Sequence, residues 1–349
     1  MSLRLIYSGG TIGCAGTPLA PLAAGEFRGL WERHVAPGLG GVAPAWQWLD
    51  PALDSSAMTP TDWGRLARLV LEAGEDAVLL LHGTDTLAWT ASALAFLLTL
   101  YDADGTPAGR FGKPMVLTGS QRPLFEGDGI RAGTDALENL RTALNALALG
   151  RREVTVAFGS LTLRGPRVMK MSTRDDRAFA CPKGSTPAPA LPEAASGALL
   201  AQLDGLAPHF GARAVVTLTA APAAPELLHA QLEAVAERLG ESLGAIHLQG
   251  YGIGNFPARD ALAPLLRELH GRGVVLVAGS QVPHGEVAPG EYGAGHWLMD
   301  CGALSAADMT AAAVHAKLQV GLTLAARNGW QRADLERFFL TPLAGERGG

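Results

Sequence analysis

The chain predicts an α/β protein of two α/β domains, a larger N-terminal domain on a mostly parallel sheet and a smaller C-terminal parallel α/β domain, and three observations predict it. At 349 residues it is longer than one hydrophobic core usually serves. Apolar residues make up 48% of it and charged residues 17%, a balance that supports a large core and argues against extended disorder. Short apolar runs alternate with longer segments of helical period, the pattern of a parallel sheet covered on both faces.

The elements follow in order. The runs "LRLIYS", "AVLLLHG", "KPMVLTG" and "EVTVAFG" read as strands, and "TDWGRLARLVLEAG", "LAWTASALAFLLTL" and "TDALENLRTALNALALG" as the helices between them. The stretch Thr90 to Tyr101 reads as a buried helix, since it is too short and too interrupted by Thr and Ser to span a bilayer. Asp102 to Gly112, "DADGTPAGRFG", reads as an exposed loop. After Phe179 the rhythm weakens into "ACPKGSTPAPALPEAASG", whose Pro, Gly and Ser suit a connection. The expected division is a domain over 1–185, a linker over 186–212 and a second domain over 213–349, where "RAVVTLTA", "GAIHLQGYGIGN" and "GVVLVAGSQ" again alternate with helical segments.

A formal net charge of -5 leaves no basic surplus for phosphate backbones or anionic lipid, so neither nucleic acid nor membrane is the expected partner, and a small molecule is. Cys14, Cys181 and Cys301 form no CxxC and no Cys/His cluster, so no disulfide framework or metal site is expected, and the compartment should be reducing. No charged leader with an apolar stretch precedes the first run at Leu3, which places the expected location in the cytoplasm.

Polar clusters sit where apolar runs end: Ser8 to Thr11, Asp54 to Ser56, His82 to Thr86, Thr118 to Gln121 and Gln249 to Asn255. Parallel sheets bind ligands beyond the carboxyl ends of their strands, so several of these clusters are expected to face one pocket. In "SGGTIG", Gly9 and Gly10 permit a sharp turn that presents Thr11, whereas GxGxxG and GxxxxGK[ST] are both absent, which excludes the usual phosphate and dinucleotide loops. Thr84 and Asp85 stand between a buried strand and a helix, where either could cap the helix or hold a lysine or a ligand ammonium. His82 is read as a core histidine without chemistry. Asp54, Ser55 and Ser56 offer one charge and two hydroxyls, either as a hydrated loop or as a grip on the α-carboxylate and α-amino group of an amino acid, and Thr59 or Thr61 caps the helix that follows. Lys170 stands among Arg164, Arg167, Arg174 and Arg177 in what reads as an exposed charged face. As a base it would need a pKa below its ordinary value of about 10.4.

The ordered set "SGGTIG", "LDSSAMTP", "LLHGTDTLAWTASAL", "KPMVLTGSQRPL", "RGPRVMKMSTRDDRAFACP", "YGIGN" and "AADMTAAAVHAKL" resembles the bacterial type I, cytoplasmic L-asparaginases from end to end. The resemblance implies hydrolysis of the side-chain amide of L-asparagine to L-aspartate and ammonia without metal or cofactor, in a homodimer or homotetramer. It implies Thr11 as the nucleophile that forms a β-acyl-enzyme, and Thr84, Asp85 and Lys170 as a second catalytic group in which Lys170 withdraws a proton and Asp85 orients it. Asp54, Ser55, Ser56, Thr84 and Asp85 would bind the substrate, with backbone N–H groups near Thr84 and Gly119 facing the oxyanion.

The sequence also departs from the family. Members carry a tyrosine on a mobile lid after the nucleophile, whereas "CAGTPLAPLAAGEF" has none and its aromatic is Phe27; Ser8 stands where Thr is common. Some members bind a second, allosteric asparagine through an Arg and a Thr at the positions held here by Gln249 and Met169, so that regulation is expected to be absent or altered. The alternatives on the same fold are a catalytically weak or inactive asparagine or aspartate sensor and an amidotransferase-type glutaminase subunit.

Overall fold

In a computed structural model, the structure describes residues 1–39 and 43–348. The described chain divides into two compact units: one comprises 1–100, 109–181 and 191–203, the other 101–108, 182–190 and 204–349. The division is therefore interleaved, where a single connection over 186–212 was expected. That stretch carries helix Ser196–Leu206, whose Leu199 and Leu203 are buried.

The first unit is built on strands β1 (Leu3–Gly9), β2 (Ala45–Leu53), β3 (Ala77–Leu81), β4 (Met115–Thr118), β5 (Val154–Phe158) and β6 (Leu161–Arg164). Their order is β6-β5-β4-β3-β1-β2, all parallel except the β5–β6 hairpin. Successive strand residues alternate between faces, and both faces are apolar. Leu3, Leu5, Tyr7, Leu79, Leu81 and Val116 pack with Phe27, Leu30 and Trp31 of helix α1 (Ala24–His34) and with Leu140, Ala143 and Leu147 of helix α4 (Ala136–Ala148). Ile6, Val78, Leu80 and Leu117 are equally buried on the other side, where helices α2 (Pro60–Leu71) and α3 (Leu87–Leu97) lie. Truncating one of these residues, Leu79→Ala for example, removes about 2–5 kcal/mol.

Helix α2 starts where the sequence signals it: Thr59 is the N-cap, closes a capping box with Asp62, and is followed by Pro60 at the first turn. Helix α3 is apolar all round and buried on nearly every side, as its composition requires. It ends at Leu97, two residues before a strand, Thr99–Tyr101; the helix expected through Tyr101 is therefore shorter. The loop expected over Asp102 to Gly112 contains a strand too, Pro107–Phe111, with Phe111 buried.

The second unit carries a four-stranded parallel sheet, β7 (Ala214–Thr219), β8 (Leu243–Gly250), β9 (Val275–Ser280) and β10 (Leu304–Ser305), in that order. Ile246, Leu248, Leu276 and Ala278 pack against Leu228 and Leu232 from helix Pro225–Leu239 and Leu262 and Leu266 from helix Arg259–Gly271. No helix among the described residues is long and apolar enough to cross a membrane.

Candidate active site

The connection from β1 leads to β2 on one side, and the chain then crosses back to β3 on the other. This leaves a crevice at the carboxyl ends of the adjacent strands β1 and β3, the place where open parallel sheets take ligands. Thr11 follows β1 and Thr84 follows β3.

The turn that carries Thr11 is shaped by close approach. Gly9 and Gly10 have φ of 114° and 90°, in the region that favours glycine. A Cβ on Gly9 would lie 2.1 Å from the Leu53 carbonyl oxygen, and one on Gly10 would lie 2.4 Å from the Cα and N of Gly83. A Cβ on Gly83 would in turn meet Ser55 Oγ at 2.4 Å, and one on Gly119 the His82 carbonyl at 2.2 Å. Four turns that leave four neighbouring strands thus touch backbone to backbone, with no room for a methyl group. Thr11 opens a single 3₁₀ turn through Gly13 and is half-buried; among the described residues its hydroxyl has no hydrogen-bond partner.

The opposite wall is polar. Lys170 Nζ donates to Thr84 Oγ1 at 2.9 Å and to Asp85 Oδ1 at 2.7 Å. The Lys170 side chain is 18% exposed and that of Asp85 62%, so the pair opens toward solvent at the carboxylate. Lys170 stands on a short strand, Met169–Lys170, paired antiparallel with Phe179–Ala180, and the Met171 N–H donates to the Ala178 carbonyl at 2.7 Å. The segment expected as an exposed charged face is thus only partly one: Arg174 and Arg177 are exposed, while Arg167 is 1% exposed and Lys170 turns inward. Neither Thr84 nor Asp85 caps the helix that follows. Its N-cap is Thr86, whose hydroxyl donates to the Ser55 carbonyl at 2.7 Å and ties the β3 turn to the β2 turn.

Asp54 begins a 3₁₀ turn over Ser55–Ala57 and accepts from the Ser56 N–H at 2.9 Å; Asp54 and Ser56 are exposed, while Ser55 is buried against Gly83. His82 is fully buried: its Nδ1–H donates to the Gly83 carbonyl at 2.7 Å, and Nε2 lies 3.2 Å from the Met58 sulfur. Burial lowers its pKa to about 4, outweighing the Gly83 contact, so it is a neutral support for the turn, as its position in the sequence suggests.

Two residues behind the β4 turn carried no signal beyond that of an ordinary helix start. Asp135, 3% exposed, accepts from the backbone N–H groups of Gln121 at 2.8 Å and Arg122 at 3.0 Å. Asn139 donates to the Gly119 carbonyl at 2.9 Å and accepts from the Gly159 N–H at 2.6 Å. Together they fix the loop after β4.

The Gln249 to Asn255 cluster belongs to the second unit, at the carboxyl end of β8. Gln249 Oε1 accepts from Thr219 at 3.0 Å, and its carbonyl accepts from Ala220 N–H at 2.9 Å and from Gln281 Nε2 at 3.2 Å.

Comparison with known proteins identifies the family. The family model for the N-terminal domain of asparaginase matches residues 2–194, and that for the glutaminase/asparaginase C-terminal domain matches 222–339. L-asparaginase 1 of Escherichia coli K12 is 35% identical over 275 residues, covering 77% of this chain and 75% of that protein. The chain belongs to the asparaginase family. The thermostable L-asparaginase of Thermococcus kodakarensis superposes over 100% of both chains with a TM-score of 0.76 at 27% identity. L-asparaginase I of Vibrio cholerae does so over 100% of this chain and 99% of that one, at 0.73 and 28%.

Against this family background the segment after the Thr11 turn stands out. Residues Cys14–Ala15 and Ala20–Pro21 form a small hairpin whose exposed tip carries Leu19, 52% exposed. Phe27 is no part of it; it is buried in α1, stacked on Tyr7 at 4.8 Å. A tyrosine hydroxyl does lie beside the Thr11–Gly13 turn, from below: a Cβ on Gly13 would sit 2.1 Å from Tyr7 Oη. That hydroxyl is buried without a hydrogen-bond partner among the described residues, and burial, with Cys14 nearby, raises its pKa well above the ordinary value. Cys14 itself donates to the Gly10 carbonyl at 3.3 Å, and burial raises its pKa too.

Proposed function

We propose that the protein is an L-asparaginase, hydrolysing the side-chain amide of L-asparagine to L-aspartate and ammonia. The observation that carries the reading is the Lys170–Thr84–Asp85 cluster at the β1/β3 crevice, set beside the glycine turn that presents Thr11. Thr11 Oγ attacks the amide carbon, and Lys170, acting as the neutral amine, takes its proton through Thr84 and passes one on to the departing nitrogen. The C–N bond breaks, ammonia leaves with a proton, and a β-acyl ester remains on Thr11. Water then adds to the ester carbon and releases aspartate and the free hydroxyl. An alcohol is a weak nucleophile until an adjacent base activates it and a third group orients that base, and Lys170 with Asp85 meets both needs. Backbone N–H groups of the Thr84 and Gly119 turns face the oxyanion, where one good donor contributes about 3–4 kcal/mol. Asp54, Ser55, Ser56 and Asp85 hold the α-carboxylate and α-amino group.

The reading extends to a cytoplasmic homodimer or homotetramer without cofactor, and, with Gln249 engaged by Thr219 and Met169 in place of a hydroxyl, to an enzyme without the asparagine regulation of some relatives. One observation favours a second assignment: the hydroxyl that touches the lysine is that of Thr84, so Thr84 could attack in place of Thr11. Ammonia release from L-asparagine separates the possibilities. Thr11→Ala and Lys170→Met should each reduce it by at least about a thousandfold while asparagine is still bound. Undiminished turnover by Thr11→Ala rules out the Thr11 mechanism, and asparagine binding without turnover in the unmutated protein makes it a sensor.

A further inference from the structure

At the opposite pole of the second unit's sheet lies a cavity of about 520 Å³, lined by Arg213, Gly240, Glu241, Leu243, Arg272 and Val274. Its floor is the amino-terminal start of three adjacent parallel strands: Arg213 precedes β7, Gly240 to Leu243 lead into β8, and Arg272 to Val274 lead into β9. It is thus separate from the carboxyl-end clusters of the same sheet.

The guanidinium of Arg213 is fixed. Gln319 Nε2 donates to the Arg213 carbonyl at 3.1 Å, and Arg213 Nη2 donates to the Leu243 carbonyl at 3.1 Å. Its Nε is nevertheless buried and without a hydrogen-bond partner among the described residues, and no carboxylate there pairs with it. Its Nη1 makes no hydrogen bond among the described residues, which leaves that donor for an acceptor in the cavity. Arg272 is exposed and reaches only a loose contact with Glu268 at 3.7 Å, and Glu241 is exposed without an ion pair among the described residues. Two cations and one carboxylate therefore line one hollow with little to satisfy them from the protein.

That charge set is the complement of a ligand with two carboxylates and one ammonium. A simple dianion such as phosphate would meet both arginines but also the Glu241 carboxylate, which repels it. We propose that this cavity binds an acidic α-amino acid of the L-aspartate class, with Arg213 and Arg272 on its carboxylates in the planar geometry guanidinium favours and Glu241 on its ammonium. The inference stands on this cavity alone and does not depend on the reading of the Thr11 crevice.

The test is calorimetric titration of the intact protein with L-aspartate, succinate and inorganic phosphate, in the unmutated chain and in Arg213→Gln, Arg272→Gln and Glu241→Gln. One class of aspartate site should disappear or weaken by about tenfold or more in either arginine variant, with ammonia release from asparagine unchanged. Arg272 is exposed, so its variant tests the site without risk to folding. Glu241→Gln should weaken aspartate and strengthen succinate, which lacks the ammonium. Aspartate binding that is identical in the unmutated protein and in both arginine variants overturns the proposal. So does phosphate binding at least as tightly as aspartate at the arginine-dependent site. If the Thr11 reading alone is wrong, the arginine-dependent class remains and asparagine turnover is absent.

Discussion

The two walls of the crevice are made by different physics. The Thr11 wall is steric: Gly9, Gly10, Gly83 and Gly119 bring four turns into backbone contact, and the Thr11 hydroxyl is left without a partner among the described residues. The Lys170 wall is electrostatic: an ammonium is shared between a hydroxyl and a carboxylate that is itself more than half exposed. A steric wall tolerates no added atom but is indifferent to salt. A polar wall tolerates isosteric change but loses function when its charge is altered. The contrast says which kind of substitution damages which side.

The largest effect should come from the steric wall. Gly10→Ala adds a Cβ 2.4 Å from Gly83 at a φ of 90°. Strain and overpacking together should cost about 4 kcal/mol, read as a lowered urea midpoint along with lost ammonia release. If Gly10→Ala keeps its midpoint, the close-approach account is wrong. On the polar wall, Asp85→Asn keeps the shape and removes the charge that orients Lys170. Turnover should fall by about a hundredfold, near 2.7 kcal/mol, with the urea midpoint unchanged. A fall in stability to match would make Asp85 a structural residue instead.

The third prediction concerns His82, whose carbonyl abuts Gly119 on the steric side. Burial lowers its pKa to about 4 in the folded protein, against about 6.5 in the unfolded chain. The unfolded state therefore binds the extra proton first. This contribution is fully present above pH 6.5 and is lost as the pH falls toward 4, at about 1.4 kcal/mol per unit. His247 in the second unit, lowered to about 3 by burial and by His315, acts in the same direction. Urea unfolding at pH 7.5 and 5.5 should differ by about 1 kcal/mol less in His82→Gln than in the unmutated protein. An equal difference in both would show that His82 takes up its proton while folded. The smallest effect is expected away from both walls. Arg28→Ala breaks an exposed i,i+4 pair with Glu32 at 2.7 Å and should move stability by less than about 0.5 kcal/mol.

The strand–helix alternation, the carboxyl-end placement of the clusters and a helix cap at Thr59 or Thr61, which the structure resolves to Thr59, were legible because each rests on local periodicity or on one residue type near one position. The steric wall was legible only in outline. "SGGTIG" announced a turn, but that Gly10 meets Gly83 and Gly9 meets Leu53 depends on which strands are neighbours, and no short-range pattern carries strand order. Lys170 was hidden in a run of arginines and gained its place through the family resemblance; its reach to Thr84 spans 86 residues of sequence. Asp135 and Asn139 were invisible because an acidic residue at the start of an amphipathic helix is usually a cap, and here the carboxylate turns to the neighbouring loop instead. The helix expected through Tyr101 overran because its apolar run continues without a break into a strand. The 186–212 connection was misjudged because its Ala-rich end forms a buried helix.

The central claim is that the hydroxyl presented by the glycine turn, rather than the one held by the lysine, forms the bond to substrate. Acid quenching during turnover of L-asparagine, followed by peptide mapping by mass spectrometry, tests it most directly. The account predicts an aspartyl ester on the peptide that contains Thr11, absent in Thr11→Ala. An ester on the Thr84 peptide, persisting in Thr11→Ala, would contradict it.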